Sequence, residues 1–126
     1  MKDKKIILLK KLLSIPPNLQ LYHWQTRSYP RHVATSNLYN SLIEKIDKFI
    51  EIFMGKFSRV RLRDRDSLPI TNLSAKGAVA YIKNNIQFFS SIETFLPELK
   101  KSTDLLNVRD DIVGDLHQTL YLFRLK

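Results

Sequence analysis

The chain has 126 residues, of which 44% are hydrophobic, so it has enough apolar material for a folded core and is expected to form one domain over residues 1–126. Cysteine is absent, which excludes a disulfide framework and a thiolate metal site. The net charge of +9 favours an anionic partner such as nucleic acid, although it also serves solubility alone. No apolar run is long enough to cross a bilayer and no signal peptide is recognisable, so the protein is not expected to be secreted.

The N-terminal segment has two stretches of helical periodicity on either side of Pro16 and Pro17. Residues 2–13 are typical of a basic amphipathic helix. Its predicted core face is formed by Ile6, Leu9 and Leu13 and is widened by Ile7 and Leu12. Ser14 is suited to cap a second helix that carries the prolines in its first turn and continues through Trp24; a single kinked helix is the alternative. Trp24, the only tryptophan, is expected to anchor the core or an interface.

Three further segments have the apolar spacing of helices. Ser28 precedes a helix predicted from Tyr29 to Phe57, which would be about 42 Å long at about 1.5 Å per residue. Ser74 is predicted to cap a helix that runs from about Ala75 to Ile92, and the last helix is predicted from about Asp104 to Arg124. No segment has the pattern of a buried strand. The predicted fold is therefore an all-α antiparallel four-helix bundle with either a short extra N-terminal helix or a kinked first helix.

Residues 58–73 interrupt the helical periodicity and are predicted to form a connector. Arginines alternate here with apolar and acidic residues, which favours an extended chain, and Pro69 supports a loop. Arginine and lysine side chains contact phosphates readily. The candidate nucleic-acid contacts are Lys4, Lys5, Arg59, Arg61 and Arg63. Asp64 and Asp66 offset part of this charge, so a self-paired surface loop is an equally good interpretation.

Two histidines and two carboxylates form the candidate metal site. His23 and His32 flank the junction of two predicted helices, and Asp47 and Glu51 are four residues apart, so they share one helical face. His32 and Asp47 are separated by about 22 Å of helix, whereas metal ligands lie about 2 Å from the ion. The histidines and the carboxylates can therefore share a metal only between two antiparallel copies of the helix, as a two-fold dimer supplies.

The same stretch resembles a known family. The segment HWQTRSYPRH followed by D-x-x-x-E resembles the Dps proteins (DNA-binding proteins from starved cells) of the ferritin-like superfamily, and His32, Asp47 and Glu51 keep that family's spacing. The C-terminal segment TDLLNVRDDIVGDLHQTLYLFRL is similar to the final helix of the family. The whole chain also looks like small ferritin-like proteins of large DNA viruses. The resemblance implies a ferritin-like bundle, a homo-oligomer built on a two-fold dimer, and association with DNA.

The resemblance further implies an iron site between subunits, with His23 and His32 from one chain and Asp47 and Glu51 from its mate. Such sites bind Fe(II) and oxidise it. The family usually has another carboxylate one turn after the second histidine, where this chain has Ser36. Binding of iron at this site is the first prediction. This departure and the +9 charge motivate the alternative, a non-catalytic structural or DNA-associated helical bundle. The expected location is cytoplasmic or virion-associated.

Overall fold

A computed structural model describes residues 2–126 and contains α-helices and one 3₁₀ segment. The helices are α1 (Lys2–Gln25), α2 (Tyr29–Phe57), α3 (Ala75–Ser90), α4 (Ile92–Phe95) and α5 (Thr103–Phe123), with the 3₁₀ segment at Pro97–Lys101. No strand occurs within residues 2–126, so the all-α prediction is confirmed. Over the same residues, no helix combines the length and apolarity that a membrane span requires.

The first helix is continuous through Pro16 and Pro17. The prediction of two helices is therefore wrong, and the single-helix alternative is correct. The Ser14 hydroxyl does not cap a new helix; it donates to the carbonyl oxygen of Lys11 at 2.9 Å. A proline inside a helix costs about 3 kcal/mol because it removes a backbone hydrogen bond and crowds the preceding turn. Burial of apolar side chains on both sides of the prolines offsets this cost.

The buried face of α1 differs from the predicted one. The core residues that α1 contributes are Ile6, Leu8, Leu12, Ile15, Leu19 and Tyr22. Ile6 and Leu12 were predicted correctly. Leu9 is half-buried, whereas Ile7 and Leu13 are exposed. The apolar run at residues 6–9 is compatible with more than one helical face. The face that continues beyond the prolines buries more apolar area, and it is the one that faces the core.

The helices pack as neighbouring pairs that place the connector along α1. α1 packs against α2, α2 against α5 and α5 against α3, whereas α1 and α3 approach each other less closely. Residues 58–74 run beside α1. Asn18 Nδ2 donates to the Pro69 carbonyl oxygen at 2.9 Å, and Gln25 Nε2 donates to Asn72 Oδ1 at 2.8 Å. The connector therefore ends beside the C-terminal end of α1, and α3 begins there.

Serine caps fix the start of two helices, as predicted. The Ser28 hydroxyl accepts the Arg31 N–H at the start of α2, and the Ser74 hydroxyl accepts the Gly77 N–H at the start of α3. The bounds of α2 agree with the prediction. α3 ends at Ser90, two residues earlier than predicted, and a short helix and the 3₁₀ segment carry the chain to α5.

Arg31 joins four helix ends. Its Nη1 donates to the Tyr22 hydroxyl at 3.0 Å and to the Ala75 carbonyl oxygen at 2.9 Å, at the ends of α1 and α3. Its guanidinium carbon lies 4.5 Å from the centre of the Phe123 ring, at the end of α5. Arg31 itself is in the first turn of α2. This one side chain therefore fixes how the four long helices meet.

Replacing Arg31 by methionine is expected to lower the free energy of unfolding by about 1–3 kcal/mol, because two hydrogen bonds of a charged donor and a cation–π contact are lost. Urea denaturation of the purified variant measures the change. Arg27→Met is the matched control, since Arg27 is exposed; it should stay within about 0.5 kcal/mol of the parent protein. Equal losses in the two variants would contradict a role for Arg31 in joining the helices.

Candidate functional site

The two predicted histidine ligands lie face to face across the turn between α1 and α2. The ring centres of His23 and His32 are 3.8 Å apart and the ring planes differ by 14°. His23 Nδ1 lies 2.6 Å from the His32 carbonyl oxygen, and His32 Nδ1 lies 3.0 Å from the His23 carbonyl oxygen. Since a carbonyl oxygen only accepts, each neutral ring must carry its proton on Nδ1. Both Nε2 atoms are therefore left with a lone pair, the form that binds a metal.

The two predicted carboxylate ligands do not meet the histidines within one chain. Asp47 and Glu51 are exposed on α2, farther along the helix than His32. Within residues 2–126, no group of three or more His, Cys, Asp or Glu side chains is arranged to hold a metal ion. Within one described chain, the histidine pair and the carboxylate pair are therefore separate.

The predicted phosphate contacts converge on one cleft at the N-terminal end of α1. Lys5, Arg59, Arg61 and Arg63 line this cleft, whose volume is about 820 Å³. Lys4 is the exception, since its Nζ donates to the Phe95 carbonyl oxygen at 3.3 Å. The fold thus brings together basic residues that are more than fifty positions apart in the sequence.

The charge of Arg63 in this cleft is already neutralised. Its Nη2 lies 3.0 Å from Asp66 Oδ1, and its backbone N–H donates to Asp66 Oδ2 at 2.7 Å. Its Nη1 is also 3.7 Å from a carboxylate oxygen of Asp3, another residue that lines the cleft. The hydrogen bonds from Arg63 lower the pKa of Asp66 to about 2. The self-paired interpretation therefore holds for Arg63, and it weakens the cleft as an anion site.

Acid is expected to destabilise the protein through Asp66. Because its pKa in the folded state lies below the ordinary value of 3.8, the carboxylate stabilises the fold above pH 3.8, and this stabilisation is lost as the pH falls towards about 2. Thermal unfolding measured across this pH range should show a smaller decline in midpoint for Asp66→Asn than for the parent protein. Asp64→Asn, at an exposed position in the same segment, is the control. Equal declines for Asp66→Asn and the parent protein would contradict the expectation.

A second basic surface lies at the opposite end of the molecule. Three runs of the sequence, residues 4–43, 67–92 and 116–126, contain no aspartate or glutamate. The contacts of Arg31 bring parts of all three runs together. We call residues 22–33, 72–79 and 119–126 the acid-free end. Its exposed cations are Arg27, Lys76, Arg124 and Lys126.

Large aromatic side chains are exposed at the acid-free end. Trp24 is 69% exposed and Tyr29 is 75% exposed, on either side of the turn between α1 and α2. Trp24 is therefore not a core anchor, contrary to that part of the prediction. The Tyr29 ring is stacked near His32, with ring centres 6.3 Å apart. The one sequence signal for this surface was the presence of three runs without aspartate or glutamate. Only the fold shows that parts of these three runs lie next to each other.

Comparison with known proteins gives a family match and a viral relative. Residues 23–123 match the model of the Family of unknown function (DUF5856). The chain is also 30% identical over 104 residues to the "Uncharacterized 14.6 kDa protein in mobD-ri intergenic region" of Enterobacteria phage T4, and this alignment covers 82% of the chain and 75% of the phage protein. No solved structure matches the chain.

These matches overturn the resemblance to the Dps and ferritin-like proteins. The family model covers most of the chain, including His23, His32, Asp47 and Glu51, and its description is of unknown function, with no Dps or ferritin-like assignment. The relative is a viral protein, as the sequence suggested, but its name carries no ferritin-like description. The chain belongs to the family of unknown function DUF5856.

Proposed function

We propose that this protein is a non-catalytic four-helix bundle that binds single-stranded nucleic acid at the acid-free end. The observation that carries the proposal is the exposure of Trp24 and Tyr29 among cations, in a region where the sequence has no aspartate or glutamate. Unpaired bases stack on exposed aromatic rings, and neighbouring cations bind the phosphates. Exposed aromatic rings are in unfavourable contact with water, and a stacked base would remove part of that surface from water.

A single strand fits this surface better than a duplex does. In a duplex the bases are stacked on one another, and a protein reads them by placing a helix or strand in a groove. The exposed rings of Trp24 and Tyr29 lie at helix ends around a turn, where splayed bases can reach them. Arg27 lies within the same turn, and Lys76 is in the first turn of α3. Phosphates on either side of a stacked base would therefore meet positive charge.

The four long helices suit a rigid platform for such binding. We propose that α1 and α2 form one antiparallel pair and α3 and α5 a second, joined by the connector that runs along α1. The packing of α2 against α5 supports this arrangement. Four helix ends then form one surface, fixed by Arg31. The cleft at the other end, with Lys5, Arg59 and Arg61, remains a weaker second contact for phosphates.

Fluorescence titration with a 20-residue deoxythymidine oligonucleotide tests the proposal. Trp24 is the only tryptophan, so quenching of the intrinsic emission reports stacking at that ring. Each phosphate neutralised on a single strand lowers the slope of log affinity against log salt by about 0.7. Three or four contacts should therefore give a slope of about −2 to −3. Absence of quenching at saturation, or an affinity that does not change with salt, would contradict the proposal.

A second candidate function is metal binding between two copies of the chain. The observation that favours it is the pair of hydrogen bonds from the Nδ1 atoms of His23 and His32 to backbone carbonyls, which leaves the lone pair of each neutral ring on Nε2. Metal-binding histidines commonly have such a partner on the other ring nitrogen. Asp47 and Glu51 of a second, antiparallel copy would complete a site of two imidazoles and two carboxylates for a divalent cation such as Fe(II).

Anaerobic titration with Fe(II), followed by light scattering and calorimetry, tests this candidate. Binding should convert the protein to a dimer and should be lost in His32→Ala and in Asp47→Asn. His117→Ala is the control, since His117 is exposed on α5. Undiminished binding in His32→Ala would refute the site.

A further inference from the structure

A pocket lies in the seam between α1 and α3. These two helices approach each other less closely than the other neighbouring pairs do, and connector residues 67–71 lie over the gap. The pocket has a volume of about 510 Å³. Small-molecule sites typically have volumes of about 300–1,000 Å³. It lies midway along α1 and is lined by neither Trp24 nor Tyr29.

Two lysines give the pocket a positive charge. Lys11 is half-buried, burial lowers its pKa, and it makes no ion pair within the described part of the chain. Its Nζ lies over the Phe88 ring, 5.4 Å from the ring centre. Lys10 Nζ is 3.7 Å from Asp66 Oδ1, but that carboxylate is held more closely by Arg63, at 3.0 Å. Neither ammonium group is therefore fully compensated by the protein.

Neutral hydroxyl donors accompany the lysines. Burial raises the pKa of the Tyr81 hydroxyl, and the polar side chains of Asn18, Asn85 and Ser14 near it oppose this rise. The hydroxyl therefore keeps its proton at neutral pH and can donate it. Ser67 and Thr71, on the connector, add two more hydroxyls to the pocket lining.

The floor of the pocket is fixed by side chains that already have partners. The Asn18 amide donates to the Pro69 carbonyl oxygen at 2.9 Å, and its oxygen accepts the Thr71 N–H at 2.9 Å. These bonds hold the connector over the seam.

We infer that this pocket binds a small phosphate monoester. A phosphate monoester carries up to two negative charges and three terminal oxygens, which match two ammonium groups and several hydroxyl donors better than a carboxylate does. Ile7 and Pro69 give the pocket an apolar wall on which the body of the ester can lie. Nucleoside monophosphates have this combination of a phosphate and a flat ring. The inference does not depend on nucleic-acid binding at the acid-free end.

Isothermal titration calorimetry with adenosine monophosphate tests the inference, with adenosine and inorganic phosphate as comparison ligands. Adenosine monophosphate should bind at one site per chain, inorganic phosphate more weakly, and adenosine not measurably. Lys11→Met keeps the apolar stem and removes the charge, so it should weaken binding by at least about tenfold. Tyr81→Phe removes one hydroxyl and should weaken binding by about threefold to tenfold.

Lys83→Met is the matched control, because Lys83 is an exposed lysine of α3 outside the pocket. It should bind adenosine monophosphate as the parent protein does, and so should Trp24→Ala. Circular dichroism checks the folding of each variant, and Thr71→Val replaces Lys11→Met if that variant does not fold. No saturable binding up to about 10 mM, the weak limit of specific affinity, would overturn the inference. Equal binding by the parent protein, Tyr81→Phe and the folded lysine or threonine variant would overturn it as well.

Discussion

Replacing Trp24 and Tyr29 together by alanine is expected to weaken the binding of single-stranded DNA by about 30-fold or more. Stacking of a base on an aromatic side chain contributes about 1–3 kcal/mol by alanine substitution. Each 1.4 kcal/mol changes an affinity by about tenfold, so the loss of two stacking rings has at least this effect. Anisotropy of a labelled oligonucleotide measures the change, because the variant no longer has a tryptophan to report binding.

The matched control keeps the rings at the same two positions. A double variant with Trp24→Phe and Tyr29→Phe should retain most of the affinity, since every aromatic face can stack on a base. Both side chains are largely exposed, so the free energy of unfolding should change by no more than about 0.5 kcal/mol in either double variant. If the alanine variant binds as tightly as the parent protein, stacking at the acid-free end is not the mode of binding.

The helices that the sequence predicted well are those whose local and long-range signals agree. Ser28 supplies a cap, and the apolar spacing from Leu38 to Phe53 continues for several turns, so the bounds of α2 agree with the structure. Ser74 likewise caps the start of α3, as the sequence predicted. In both helices the capping serine and the apolar spacing predict the same start of the helix. No tertiary contact is therefore needed to choose between alternative helix bounds.

The first helix shows where local signals fail. Ser14 followed by Pro16 and Pro17 is a good local start for a helix. The decision between one helix and two depends instead on Leu12 and Leu19, which lie on either side of the prolines and are both buried. If the helix ended at the prolines and a new one began, these two side chains would no longer lie on the same face. Burial against other helices is a tertiary effect, and a local pattern does not contain it.

Only some features of the candidate site could be predicted from the sequence. The spacing of His32, Asp47 and Glu51 follows from the helical period, which many unrelated helices share, and it therefore suggested a family that the comparisons do not support. The stacking of His23 on His32 and the exposure of Trp24 depend on the angle between α1 and α2. The acid-free end depends on contacts between segments that are far apart in the sequence. These are properties of the folded chain.

Replacing Phe89 by alanine is expected to lower the free energy of unfolding by about 3–5 kcal/mol, as buried phenylalanine-to-alanine changes do. Phe89 is 0% exposed in the core of the molecule, so its removal leaves a cavity that the neighbouring helices can fill only in part. Domains of this size have a total stability of about 5–15 kcal/mol, so this one change removes a large share of it. Calorimetry should show a fall of roughly 12–20 °C in the melting temperature.

The adjacent residue is the natural control for this prediction. Phe88 has the same side chain in the same helix, and its ring centre is 5.5 Å from that of Phe89, but it is only half-buried. Its replacement by alanine should cost about 1–2 kcal/mol, because less apolar area returns to water. Helix propensity changes equally in the two variants, so the difference between them reports mainly burial, reduced by the contact that the Phe88 ring makes with Lys11. Equal losses would mean that α3 does not present Phe89 to the core, and the packing of α3 against α5 would have to be revised.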